Sequence, residues 1–285
     1  MKTLKKKIIY IAGVGHSGST ILDMSLSCTE NVVGLGEIKT LLDSATIETH
    51  LKSYCSCGKQ AKECEFWKDL KDVYDSSLSI TENYDAIIHL FDQKFGKDVG
   101  ILDSSKNSYA YLSDLDKKYD LKVVLLTRDF RSWIYSRSKS AKTNMLKNAF
   151  LWIALNVKIR KDLKKMGLKP IIIGYEELAL YPEHILKLLT KKLEIPYSDA
   201  MLTIDKSKSH IISGNIARMD PKKNKKFIYD ARWLLSSKIQ FLSVLLFFIH
   251  RFNKNYVYSN LYNKKDKSFY IFGNKRREDL NRKYN

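Results

Sequence analysis

Four cysteines in 285 residues are too few for a disulfide-stapled secreted scaffold. A membrane-spanning helix needs about 20 mostly apolar residues, and the chain has no such run. Its nearest approach is Phe241–Ile249 within the segment 233–252. Ser236, Ser237, Lys238 and Gln240 interrupt the start of that segment, and His250 and Arg251 close it. The segment therefore reads as a core or lid helix, or as an interfacial helix lying against a membrane. The basic start Met1–Lys7 is followed by a short apolar run, Ile8–Ala12, with no small-residue cleavage site after it. A signal peptide needs an apolar region of about 7–15 residues, so the expected compartment is the cytoplasm, with peripheral membrane contact through 233–252 as the alternative. Internal repeats and long low-complexity linkers are also missing. Acidic residues are scarce, 31 against 50 Lys and Arg, for a formal charge of +19. Such a balance suits anionic partners: nucleic acid, a phosphorylated cofactor, an acidic glycan or an anionic lipid surface. The basic residues are spread along the chain without a recognisable nucleic-acid module, so no nucleic-acid partner is expected.

What is present reads as globular: 44% hydrophobic and 28% charged residues. Continuous β-branched runs at Lys7–Ala12, Val99–Leu102, Leu121–Thr127 and Pro170–Ile173 predict buried strands of a parallel sheet. Helices are predicted over Ser19–Cys28, Asn83–Phe95 and a long region Ser132–Met166 stopped by Gly167. Another starts at Pro182 and runs through His184–Leu193. This alternation implies an α/β fold of P-loop type, a central parallel β-sheet flanked by helices. One domain is expected over 1–262, with a cysteine-containing insertion or cap at 50–79 and a basic C-terminal tail at 263–285.

The first predicted strand runs into Gly13-Val-Gly-His-Ser-Gly-Ser-Thr20 and then into a helix. A strand, a glycine loop and a helix N-terminus together form an anion site, because backbone N–H groups converge there and the helix dipole favours negative charge. The spacing fits G-x-x-x-x-G-K-[ST], except that Ser19 stands where an NTPase carries Lys. An ATP γ-phosphoryl site relies on that Lys and on Mg²⁺. A phosphosulfate carries less charge on the transferred group, so a loop without the Lys, and with no metal required, suits it. The bland alternative is a glycine-rich turn with no ligand.

The same loop resembles the 5′-phosphosulfate loop of sulfotransferases that use 3′-phosphoadenosine 5′-phosphosulfate (PAPS), particularly the bacterial and tyrosyl-protein-like branch. The resemblance implies donor binding by Gly15, His16, Ser17, Gly18, Ser19 and Thr20, with His16 also catalytic. That branch commonly has Arg at the position of His16, which leaves the charge of His16 open, since an unperturbed imidazole is mostly neutral at pH 7. Leu121–Thr127 delivers Arg128-Asp-Phe-Arg-Ser-Trp-Ile-Tyr-Ser136, similar to the family's 3′-phosphate motif. Arg128 would make a charge-assisted fork to that phosphate and Ser136 would add a hydroxyl donor; otherwise Arg128 is a structural ion pair with Asp129. Ile171–Leu178 looks like a family segment whose Tyr, here Tyr175, lies near the adenine. Ser209–Arg218, with Asp230 and Trp233 beyond it, is similar to a late bacterial motif in which Arg218 would be a second 3′-phosphate ligand; its bland reading is a surface Arg. The likeness covers roughly residues 8–235.

Sulfuryl transfer is an in-line displacement needing a base for the acceptor proton and positive charge on the leaving oxygen. By the same resemblance Glu37, expected at a strand end in Val33–Ile38, is the base, and Lys106 in Asp103–Ser108 faces the sulfate. Their bland readings are a surface carboxylate and an exposed Lys. The acceptor would be a hydroxyl or amine on a small molecule, a glycan or a lipid-linked compound. Trp133, Trp152 and Trp233 would line its pocket or belong to the core. Cys55, Cys57 and Cys64 would bind zinc with His50 or Cys28, form a disulfide, or simply brace a structural cap. Two other classes remain, a P-loop small-molecule kinase and a basic nucleic-acid-binding protein.

Overall fold

The apolar run after the basic start is the middle strand of a five-stranded sheet. Its strands are β1 (Lys7–Gly13), β2 (Val32–Gly36), β3 (Gly100–Lys106), β4 (Asp120–Thr127) and β5 (Ile171–Gly174). All pairs are parallel, in the order β2-β3-β1-β4-β5. The structure is a computed structural model and describes residues 5–42, 47–106, 109–141, 143–214, 219 and 226–260. The helices are α1 (Ser19–Leu26), α2 (Ile38–Leu41), α3 (Ile47–Leu51), α4 (Leu70–Val73), α5 (Ile80–Phe95) and α6 (Leu112–Lys118). They continue as α7 (Phe130–Ala141), α8 (Met145–Lys165), α9 (Tyr175–Leu180), α10 (Pro182–Leu193), α11 (Ser237–Leu245) and α12 (Phe247–Val257). This is the expected α/β class. The 263–285 tail and Arg218 lie outside the described residues.

Alternate residues of β1 serve two apolar layers. Ile8, Tyr10 and Ala12 join one core, and Ile9 and Ile11 join the other. A strand covered on both faces must be apolar throughout, which is why it reads as a continuous run. The layers differ in how they are filled. α5, α6, α8 and the 47–73 segment cover one face, while α1 and α10 cover the other. The 47–73 segment packs into the main core. Its Phe66 and Trp67 are wholly buried, and the Phe66 ring packs against Phe91 and Phe95 of α5 at 6.0 and 5.8 Å.

Two helical expectations are corrected. Ser132–Met166 is not one helix but α7 and α8, because Asn144 caps a new start. Its Oδ1 accepts from the amides of Leu146 and Lys147 at 2.9 and 3.2 Å, satisfying first-turn donors that have no partner within the helix. Likewise 233–252 is a 3₁₀ turn at Arg232–Leu235 followed by α11 and α12, broken at Leu246. Among the described residues no helix is long and apolar enough to cross a membrane.

Candidate active site

The loop after β1 is held by side chains that reach it from β4 and α7. Trp133 Nε1 donates to Gly15 O at 2.7 Å and Arg128 donates to His16 O at 2.8 Å. His16 sits in the left-handed region at φ 70°, uncommon for a residue with a side chain and frequent at functional sites. Gly18, at φ 94°, is required by contact as well as by conformation. A Cβ there would fall 2.5 Å from the Tyr175 ring. Tyr175 therefore lies flat on the loop, its hydroxyl donating to Ile228 O at 3.1 Å. α1 starts at Ser19, so its first-turn amides open at the loop. The His16 imidazole is held below its ordinary pKa, first by partial desolvation and then by the charges of Arg137, Arg128 and Lys106. At neutral pH it is a neutral hydrogen-bonding group.

β2 and β3 deliver the two catalytic candidates. Pairing slips at both strand ends. β1 Tyr10 opposes Asp103 but Ala12 opposes Lys106, and β2 Gly34 opposes Leu102 while Gly36 opposes Asp103. An extra residue in one strand bends it and re-aims the side chains beyond the slip. Lys106 is itself left-handed, at φ 64°. The result is a direct hydrogen-bonded ion pair between Lys106 Nζ and Glu37 Oε1. Gly214 lies over this pair and over α1, since a Cβ on it would sit 3.2 Å from both Glu37 Oε1 and Thr20 Oγ1.

Two buried carboxylates brace the ends of these strands. Asp23 of α1 accepts from Ser104 Oγ at 2.7 Å. Asp103 accepts from Ser105 N, Tyr111 and Tyr84 at 2.8, 3.0 and 3.2 Å, and Ser105 Oγ in turn accepts from Lys39 N at 3.0 Å. Burial pushes Asp23 well above the usual carboxylate range and Asp103 to about 6.

Arg128 occupies the opposite end, at the tip of β4. It does not pair with Asp129, which instead holds Arg131 through a bidentate contact at 2.9 and 2.6 Å. Its partner is Asp230, which also holds both ends of the Arg232 guanidinium at 2.7 Å. Trp152 Nε1 fixes the Arg128 carbonyl at 3.0 Å. The Arg128 side chain lies over the Tyr175 ring at 5.2 Å. Below it Glu176 is wholly buried, accepts from Asp129 N at 2.8 Å, and is pushed upward in pKa, first by desolvation and then by the Asp129 charge.

These groups meet in one cleft of about 780 Å³. Gly15, His16, Gly18, Ser19 and Thr20 line it from the loop, Glu37 and Lys106 from the sheet edge, and Arg128, Ser136 and Tyr175 from the far end. Ser17 is the loop candidate whose side chain is turned away. Its hydroxyl is buried with no hydrogen-bond partner among the described residues, beneath the loop against Gly13. Trp133 and Trp152 are buried and act by positioning the loop and Arg128 rather than by lining a pocket. Sequence reading missed Arg232, which lines the cleft two residues after Asp230. Ser213 and Gly214, inside the Ser209–Arg218 segment, form a wall, and His50 lines the cleft instead of joining the cysteines.

No protein-family model and no curated protein matches the chain. Among solved structures it is similar to the sulfotransferase domain of the Synechococcus PCC 7002 olefin synthase, at 18% identity over 79% of this chain and 86% of that one, with a TM-score of 0.49. It is also similar to the sulfotransferase domain from the curacin biosynthetic pathway, at 19% identity over 86% and 98% of the two chains, with a TM-score of 0.49. A third similar structure is sulfotransferase STF1 from Mycobacterium tuberculosis H37Rv, at 13% identity over 76% and 74%, with a TM-score of 0.40.

Proposed function

We propose that this cleft binds PAPS and transfers its sulfuryl group to a hydroxyl or amine of an acceptor. The observation that carries the reading is the Lys106–Glu37 pair lining the same cleft as a phosphate-type loop that lacks its own lysine. The cation absent at Ser19 is supplied from the end of β3, beside a carboxylate placed to take a proton. At the far end Arg128 stands between two carboxylates, Asp230 and, 4.0 Å from its Nε, the buried Glu176, so a 3′-phosphate would displace Asp230 from the guanidinium.

The donor supplies a sulfur bonded to a phosphate oxygen that leaves readily. The amides at the start of α1, with Ser19 and Thr20, would hold the 5′-phosphate oxygens. Arg128, Ser136 and Arg232 would hold the 3′-phosphate, and Tyr175 would lie near the adenine. Glu37 would accept the acceptor's proton as its oxygen or nitrogen bonds to sulfur. Lys106 would offset the charge growing on the bridging oxygen as the bond from sulfur to that oxygen breaks. The products are the sulfated acceptor and adenosine 3′,5′-bisphosphate, with the proton passing from Glu37 to solvent. His16, neutral, contributes a hydrogen bond rather than a charge.

A second groove of about 610 Å³ lies at the proposed 3′-phosphate end, away from Glu37 and Lys106. It shares Arg128, Tyr175 and Arg232 with the cleft but is walled by Ile228, Leu234 and Leu235.

The first experiment is calorimetric titration with adenosine 3′,5′-bisphosphate, wild type beside Arg128→Ala. Micromolar binding without added metal, lost in the variant, is the expected result. A folded wild type that ignores the bisphosphate overturns the reading. Binding of ATP with Mg²⁺ would then point to a kinase, and steeply salt-dependent oligonucleotide binding to a nucleic-acid protein.

A further inference from the structure

We infer that Cys55, Cys57, Cys64 and His210 form a structural zinc site, independent of the sulfuryl-transfer reading. The sequence shows three of these ligands close together, and the fold brings the fourth from a distant part of the chain. His210 takes the place for which His50 and Cys28 were the sequence candidates. His50 faces the cleft, and Cys28 hydrogen-bonds to Met24 O at 3.3 Å instead.

The spacing is that of a single tetrahedral ion. Cys57 and Cys64 sulfurs are 3.9 Å apart, and Cys64 and Cys55 sulfurs 3.7 Å. His210 Nδ1 lies 3.2 Å from Cys64 Sγ and 4.0 Å from Cys55 Sγ. All four ligand atoms fall within 4.8 Å of one another. Zinc–sulfur and zinc–nitrogen bonds of ordinary length give tetrahedral edges of about 3.8 Å between sulfurs and about 3.6 Å between sulfur and nitrogen. Three thiolates and an imidazole form a soft, closed set with no position left for a reacting ligand, as in structural zinc sites. Three cysteines and a histidine converging on one point are also one thiol too many for a disulfide.

The ion would tie the 55–64 segment to residue 210, whose amide donates to Gly34 O of β2 at 2.7 Å. Ser56 Oγ donates to Ser209 O at 2.7 Å and accepts from Ile211 N at 2.9 Å. Ser213 and Gly214, the wall of the cleft, come within four residues of His210. Zinc at this position would hold that wall in place.

The test is elemental analysis of the full chain purified under reducing conditions, with competition against a chromophoric chelator and replacement by cobalt(II). One zinc per chain is expected, held at nanomolar or tighter affinity. Cobalt should give thiolate charge-transfer bands and the intense visible bands of a tetrahedral ion. Cys57→Ser and His210→Ala should lose the metal, and Cys28→Ser should keep it. Because loss of a ligand can also unfold the chain, the cobalt spectrum of the wild type carries the test by itself. Folded, reduced protein that takes up neither metal, holds zinc only at micromolar strength, carries iron instead, or is isolated with a Cys57–Cys64 disulfide overturns the site. Zinc removal should also weaken adenosine 3′,5′-bisphosphate binding if the cleft is the donor site, whereas metal content and spectrum report the ion whether or not it is.

Discussion

Glu37 and Lys106 are bonded to each other across neighbouring parallel strands, each placed there by an irregularity at its strand end. Their side chains keep only 18% and 16% of their exposure, so each charge is largely removed from water and neutralised by the other. A partly buried pair of this kind is costly to break without a replacement partner. On the proposed reading the replacement is the donor itself. As Lys106 turns to the phosphate oxygen, Glu37 loses its counter-ion and becomes available to a proton. Donor binding and base release are thereby linked through one contact.

Lys106→Ala should therefore lower turnover by about 10²–10³, the usual loss when a preorganised charge on a developing anion is removed, while bisphosphate affinity changes only a few-fold. Lys106 is left-handed, so Ala adds backbone strain there. Lys106→Asn, whose residue type tolerates that region better, controls for it. Initial rates beside calorimetric affinities for both variants decide the matter. Near-normal turnover in either folded variant removes Lys106 from the mechanism.

His16 offers a charge-reversible contact. Its imidazole is held below the ordinary range, so it is neutral above about pH 6.5 and gains charge only on acidification or when an anion arrives. His16→Arg should bind adenosine 3′,5′-bisphosphate more tightly at about pH 7.5, with the gap narrowing towards about pH 5.5. The ligand's own phosphate titration is common to both proteins and cancels in the ratio of their affinities. A ratio that stays constant with pH would show that His16 is remote from the anion.

Much of this arrangement is legible in the chain because the signals are local. β1, its loop and α1 form one continuous stretch, and Arg128 to Ser136 another. The break between α7 and α8 falls in a polar stretch, Ser136–Asn144, whose only apolar residue is Ala141, and Asn144 offers the cap that starts α8. The pairing of Lys106 with Glu37 depends on β2 and β3 being neighbours and on both slipping in register, and neither appears in composition or spacing. Arg232 is hidden for the same reason. Its role comes from Asp230 gripping two arginines from distant parts of the chain. His210 shows the limit most clearly, since a ligand 146 residues from Cys64 has no sequence pattern to declare it.

Buried Asp103 gives a stability prediction with a definite sign. Burial raises it to about 6 in the folded protein, against about 3.9 when unfolded. The folded state then holds the proton more tightly between those values. Its contribution is fully present below about pH 4, declines as pH rises, and is gone above about pH 6, a loss of at most about 3 kcal/mol. Asp103→Asn should remove this slope. It also changes hydrogen bonds from Ser105, Tyr84 and Tyr111, a cost that shifts the whole curve without tilting it. Urea midpoints between pH 4 and 7 for both proteins separate slope from level. Equal slopes would mean that Asp103 titrates alike in both states.

The C-terminal helices carry the last prediction. α11 and α12 bury Ile239, Leu246, Ile249 and Val257 but turn Phe241, Val244 and Phe247 outward, each at least two-thirds exposed. Over residues 231–260 there are four Lys or Arg and no Asp or Glu. An exposed apolar face set among positive charges and lacking acid is suited to an anionic lipid surface, where aromatic burial and charge attraction act together. The apolar groove walled by Leu234 and Leu235 immediately precedes α11 in the chain. The full chain should sediment with vesicles containing phosphatidylserine, bind neutral vesicles more weakly, and release as salt screens the charges. The pair Leu245→Lys, Phe248→Lys adds positive charge while removing apolar contact. Loss of vesicle binding in that folded protein, despite the added charge, would show that apolar insertion holds it. Unchanged partitioning would leave the face without a membrane role.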